Sequence, residues 1–200
     1  MSSNLAAHSA AGVFADAEGM KNRTHDNCFR VPTLSGEEVD LVNPCVNSIR
    51  VIDIATGLSN TCRYAGQVSS YYSVAQHSVL LSDMVSHKIA PYALLHDGAE
   101  AYMHDLGPAI KMLVGSIYRP LEDRLQHAIY SAFGLSAMSP EELEALKRAD
   151  RQIAQVEMRW LRFGSEPSIA GELSFPPDVV PLDPVRAKEQ FLDRFHELFS

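Results

Sequence analysis

The sequence predicts an all-α fold: a compact bundle of about six or seven helices behind a short irregular N-terminal arm. Three observations carry that prediction. Apolar residues recur at helical spacing from Pro44 onward. Helix-end signals punctuate them, notably Ser139-Pro140-Glu141-Glu142 and Gly134. No internal repeat, sustained heptad or low-complexity array competes with the pattern. At 200 residues, 46% hydrophobic and 21% charged, the chain has the balance of one globular domain.

Taken in order, residues 1–27 are dominated by small and polar side chains and read as a flexible tail, leaving 28–200 as a single domain. The stretch FRVPTLSGEEVDLVNP is punctuated by Pro and Gly and predicts a small hairpin around Gly36. Ile49, Ile52, Ile54 and Leu58, with Asn47 as cap, predict a first helix ending near Asn60. TCRYAGQVSS reads as a loop. Ser73 opens a second helix with Val74, His77, Leu81 and Met84 on one face, and a third is expected from about Pro91 to Met103. Gly107-Pro108 marks a break, followed by a short fourth helix containing Ile110 and Leu113. Leu121, Leu125, Ile129 and Phe133 trace a longer helix closed by Gly134, and the next runs from Ser139 to Phe163. The five prolines of 164–184 predict a loop before a last amphipathic helix.

Charge and composition exclude several classes of function. A formal net charge of -8 repels polymeric nucleic acid, though not a small phosphorylated ligand. No apolar run approaches the roughly 18 to 20 residues needed to span a bilayer, and the N-terminal segment lacks the basic start of a secretory signal. Cys28, Cys45 and Cys62 form no C-x-x-C pair, so a reducing cytoplasm is the expected location. Phe191, Phe195, Leu198 and Phe199 of the last helix could cover the core or a second copy, so a homodimer is an open expectation.

The chemistry concentrates in LLHDGAEAYMHD. On a helix, His96 and Asp97 project about 100° apart, and Glu100 lies one turn further along the same side. Three polar groups on an apolar helix cost several kcal/mol if buried without partners. A metal ion resolves that cost, and imidazole with carboxylate suits manganese, iron, cobalt or zinc better than calcium, with magnesium also allowed. Two ligands do not hold an ion firmly. His77 on the preceding helix and Asp150 within LKRADRQIAQVEMRWL supply the others.

The segments YYSVAQHSVLLSDMV, ALLHDGAEAYMHDLGPAIK and LKRADRQIAQVEMRWL together resemble the HD-domain metal-dependent phosphohydrolases. The likeness runs roughly from residue 30 to 165 and is greatest to the branch of bacterial 5'-deoxynucleotidases and phage dATP triphosphohydrolases. It implies one divalent ion held by His77, His96, Asp97 and Asp150. It further implies that Glu100 activates a metal-bound water, which attacks the α-phosphorus of a deoxynucleotide, and that Asp105 protonates the departing 5' oxygen. Arg63, Lys111 and Lys147 match residues that hold phosphate in similar enzymes. The Gly-Tyr-Pro signature of the cyclic-dinucleotide branch is absent after His96-Asp97. Hydrolysis of another phosphoanhydride and a non-catalytic nucleotide-binding protein with a structural metal stand as the alternatives. Tyr64, Gln67 and His104 depart from the residues of relatives, so no base preference follows.

Overall fold

The computed structural model describes residues 29–163 and 180–200. The expected tail, residues 1–27, and residues 164–179 of the loop expected over 164–184 lie outside the described residues. Within them the fold is all-α apart from one hairpin. Strands β1 (Arg30–Pro32) and β2 (Glu38–Asp40) pair antiparallel with Val31 opposite Val39. The turn between them needs Gly36, whose φ is 88°. Ser35 fastens the hairpin to the first helix, donating to the Asp53 carboxylate from its N–H at 2.8 Å and its hydroxyl at 2.7 Å.

Seven helices follow, with α1 at Val51–Asn60 and α2 at Val74–Met84. Helix α1 ends where expected, but Asn47 is not its cap. It sits in a separate 3-10 turn, and Arg50 occupies the cap position without a side-chain bond. Helix α2 opens at Ser73, whose hydroxyl accepts from the Gln76 N–H at 3.1 Å.

The expected third helix is divided into α3 (Ala90–Leu95) and α4 (Glu100–Met103). Between them the backbone tightens: Gly98 N–H bonds Leu95, Glu100 N–H bonds Asp97 and Ala101 N–H bonds Gly98, each three residues back. The Gln126 amide closes the interruption, accepting from Ala99 N–H at 3.1 Å and donating to the Leu95 carbonyl at 2.7 Å. Those are backbone groups that an ordinary helix would pair internally.

Helix α5 (Pro108–Ala132) joins the expected short and long helices into one, with Pro120 inside it. Lys111 Nζ nevertheless lies 2.7 Å from Glu122 Oε1. Eleven residues of straight helix advance about 16 Å, further than these two side chains reach together, so α5 bends between them. Pro120 supplies the cause, since it lacks an N–H for the carbonyl one turn back and its ring displaces that carbonyl. Gly134, at φ 71°, ends the helix as expected, with Leu135 N–H bonded to Tyr130 O.

Helix α6 (Pro140–Phe163) begins with a reciprocal cap, Ser139 N–H to Glu142 Oε2 at 2.8 Å and Glu142 N–H to Ser139 Oγ at 3.3 Å. Helix α7 (Pro184–Phe199) starts on Asp183, which accepts from the Val185 and Arg186 N–H groups. It packs on α1, α2 and α3. Phe191 and Phe195 are buried there with Ile54, Leu58, Leu94, Leu125 and Ile129, so α7 covers the chain's own core. A second cluster of Leu81, Ile153 and Val156 joins α2 to α6. Among the described residues no helix is long and apolar enough to cross a membrane.

Helices α1 and α4 touch at Gly57. A Cβ there would fall 2.4 Å from the Ala101 carbonyl oxygen, a backbone atom that cannot rotate away. Gly57→Ala should therefore lower the unfolding free energy by about 1–3 kcal/mol. Urea denaturation monitored by circular dichroism measures it.

Candidate metal centre

Three helices bring the proposed ligands together. His77 comes from the middle of α2 and is fully buried, His96 from the C-terminal end of α3, and Asp150 from α6. One donor atom from each lies within 4.8 Å of the other two. His77 Nε2 is 3.1 Å from Asp150 Oδ1, and His96 Nε2 is 3.8 Å from the same oxygen.

The ring orientations are set from behind. His96 Nδ1 lies 2.8 Å from the Ala93 carbonyl, which only accepts, so this nitrogen carries the proton. That leaves Nε2 to face the centre. It is buried without a hydrogen-bond partner and lies 3.1 Å from Asp97 Oδ2. A ring nitrogen and a carboxylate oxygen side by side in low dielectric offer a cation two donors. These residues fit a divalent first-row ion with imidazole and carboxylate donors.

Asp97, expected as a fourth ligand, adjoins the triad rather than belonging to the mutually close set. Burial raises its pKa, but His96, His77 and Arg63 outweigh that and hold the carboxyl well below the ordinary range. Asp150 keeps 36% of its side chain exposed, which leaves a route for an ion to enter.

Glu157 is the functional residue that sequence reasoning missed. It is fully buried and binds His77 Nδ1 at 2.9 Å, the Tyr72 hydroxyl at 2.8 Å and the Tyr64 hydroxyl at 3.0 Å. Arg63 Nε completes the set at 3.3 Å. The carboxylate fixes the His77 ring so that Nε2 points to the centre, the usual partner for a metal-binding imidazole. A signal was available: Glu157 lies seven residues after Asp150, two turns along the same face of α6, beside Val156. Burial pushes its pKa up, but His77 and Arg63 more than offset this and hold it at about 2. For His77, burial and Arg63 push down, Glu157 and Asp150 push up, and the result is about 9. The ion-free imidazole is thus cationic at neutral pH.

Arg63 sits in a 3-10 turn, Arg63–Gly66, in which Tyr64 and Ala65 adopt left-handed backbone at φ 57° and 52°. That conformation is costly without glycine. The Tyr64 hydroxyl anchors it, sharing its one proton between the Ala154 carbonyl and the Glu157 carboxylate, each at 3.0 Å. Arg63 is 8% exposed, and its Nη1 lies 3.5 Å from Asp97. The guanidinium is committed to Glu157 and Asp97.

Beside the triad lies a pocket of about 240 Å³ lined by His96, Asp97, Glu100, Lys111, Glu122 and Gln126, among others. Glu100 is 5% exposed and its Oε2 is buried without a partner. Burial, then Asp97 and Asp105, push its pKa up to about 10. In the ion-free chain the Glu100 carboxyl therefore keeps its proton at neutral pH. Asp105, just beyond α4, is also raised, first by burial and then by Asp97, with Arg63 opposing. Lys111 reaches this pocket. Lys147 does not join it: its side chain is 53% exposed and pairs with Glu144 at 3.9 Å.

No protein-family model matches the chain. The Escherichia coli protein YfdR, described as uncharacterized, is 35% identical over 175 residues, covering 84% of this chain and 94% of YfdR. The chain belongs to the YfdR family. An uncharacterized protein of Rhodobacter capsulatus is also 35% identical, over 143 residues, covering 66% of this chain and 73% of that protein.

Two outcomes follow for this YfdR-family centre. Glu157→Gln should weaken divalent-ion binding by about 10- to 100-fold, as loss of a carboxylate behind a ligating histidine does. Equilibrium titration with manganese or cobalt measures it. Because His77 holds its proton up to about 9, above the ordinary histidine range, an ion must displace that proton at any pH below this. Affinity should rise with pH by up to about tenfold per unit there, then level off. Titration calorimetry in buffers of different ionisation enthalpy counts the proton released.

Proposed function

We propose that the chain is a metal-dependent phosphohydrolase that releases a deoxynucleoside from a deoxynucleotide, with water attacking the α-phosphorus. The observation that carries this reading is the convergence of His77, His96 and Asp150 donor atoms within 4.8 Å, next to a pocket lined by Glu100, whose buried Oε2 has no hydrogen-bond partner. A purely structural ion would not require further carboxylates clustered at its side, where they repel one another. Titratable groups with raised pKa values beside a cavity are instead the mark of acid–base work.

A divalent ion held there would supply Lewis-acid polarisation of water and neutralise charge on the phosphoryl oxygens. The chain's own residues divide the remaining tasks. Glu100 accepts a proton from the attacking water in its ionised form, which the charge of a divalent ion beside it would favour over the raised pKa of the ion-free chain. Asp105, raised by burial, donates to the leaving oxygen. The pocket lining includes Asp97, Glu100, Glu122 and Asp123 against the single cation Lys111. An anionic phosphate enters such surroundings only with a divalent ion, which makes the reaction metal-dependent.

Lys111 is already paired with Glu122 and Lys147 is half exposed beside Glu144, so neither of these two lysines waits for a longer polyphosphate. The monophosphate is accordingly the better supported substrate. The free thiols of Cys45 and Cys62 accord with a reducing cytoplasm.

Product analysis of deoxy- and ribonucleoside mono- and triphosphates, with manganese, cobalt, zinc and magnesium compared, tests the reading. Deoxynucleoside with orthophosphate from monophosphates is expected. Glu100→Gln should reduce turnover by about 10²- to 10⁴-fold while metal content persists. An absence of turnover with every nucleotide and ion would remove the proposal.

A further inference from the structure

Lys111 stands opposite to the role its sequence match implies. Its Nζ is 2.7 Å from Glu122 Oε1 and 3.4 Å from Glu100 Oε1, and it lies 5.6 Å from the centroid of the Tyr118 ring. Two carboxylates and an aromatic face already surround the ammonium. Burial lowers its pKa, but Glu122 and Glu100 outweigh that and raise it, so the charge is permanent.

The bend in α5 gives this arrangement a mechanical meaning. The buried residues of the helix, Leu125, Ala128 and Ile129, all follow Pro120. Before the bend, Met112 and Leu113 are 78% and 84% exposed. Apolar packing therefore anchors the rear half and not the front. The front half is tied down by polar contacts: Lys111 to Glu122 across the bend, Lys111 to Glu100, and the Tyr118 hydroxyl to the His104 carbonyl at 2.8 Å.

We propose that Lys111 is a positioning residue rather than a phosphate ligand. With Glu122 it latches the front half of α5 against the pocket and holds Glu100 by Oε1, so that the unpartnered Oε2 is the oxygen presented to the reacting water. The catalytic part of this inference rests on the phosphohydrolase reading, whereas the latch does not. Glu122 belongs to the device although it touches no reacting atom.

Two measurements separate this role from phosphate binding. In full-length, manganese-loaded protein, Lys111→Met and Glu122→Gln should each raise hydrogen exchange over residues 108–119 by at least about tenfold. Binding of inorganic phosphate should stay within about twofold of the parent chain. With dAMP as substrate, both variants should lower kcat by about tenfold with KM little changed. The double variant should be no worse than Lys111→Met alone, and Lys111→Arg should recover part of the loss. Weakened phosphate binding in Lys111→Met with normal exchange in both variants would overturn the proposal. If the parent chain hydrolyses no nucleotide, the phosphohydrolase reading fails while the exchange data still decide the latch.

Discussion

A single buried carboxylate organises the centre. Glu157 has no exposed surface, and an unpaired charge in that position would cost several kcal/mol. Four groups from three parts of the chain offset the cost: His77 from α2, Tyr72 just before it, and Arg63 with Tyr64 from the 3-10 turn. Each is oriented by this contact. His77 turns its other nitrogen to the centre, Arg63 is held between Glu157 and Asp97, and the left-handed turn is fastened to α6. Breaking any one leaves the others with an uncompensated partner, which is why such networks specify a single arrangement.

The second constraint is the interrupted helix. A regular helix would carry His96, Asp97 and Glu100 past the centre at even spacing. The bonds three residues back between α3 and α4 draw the turn tighter, and the Gln126 amide satisfies the backbone groups the interruption exposes. Gly57 then lets α1 approach the backbone of Ala101 in α4. Asp97 and Glu100 thus stand on a short segment gripped from two sides, with α5 behind it and α1 beneath. Rigid support of this kind keeps a catalytic carboxylate within reach of its partner.

Much of this was legible from residue types. The caps at Ser73 and Ser139, the left-handed Gly134 and the amphipathic α7 are local signals, and each lies where its chemistry places it. His77, His96 and Asp150 were legible because polar ligands on apolar helix faces need an explanation. Glu157 was not singled out because a glutamate amid the charged residues of α6 looks solvated until its neighbours are known. The division of α3 from α4 was not legible either, since LLHDGAEAYM contains no proline and every residue in it except Gly98 tolerates a helix. Lys147 lies outside the lining of the pocket. Its spacing from Asp150 puts both on one side of α6, yet its long side chain runs into solvent.

By itself the sequence determined the all-α class, the order and most ends of the helices, and the residue types able to bind an ion, because capping, turn and periodicity rules act over a few residues. Tertiary structure alone decided which charges are spent on one another. Lys111 meets Glu122 only because α5 bends at Pro120, and Arg63 meets Glu157 only because the 3-10 turn lies against α6. Those pairings join residues distant in sequence or folded back on one helix, and their strength depends on exclusion of water, a property of the packed chain and not of any segment of it.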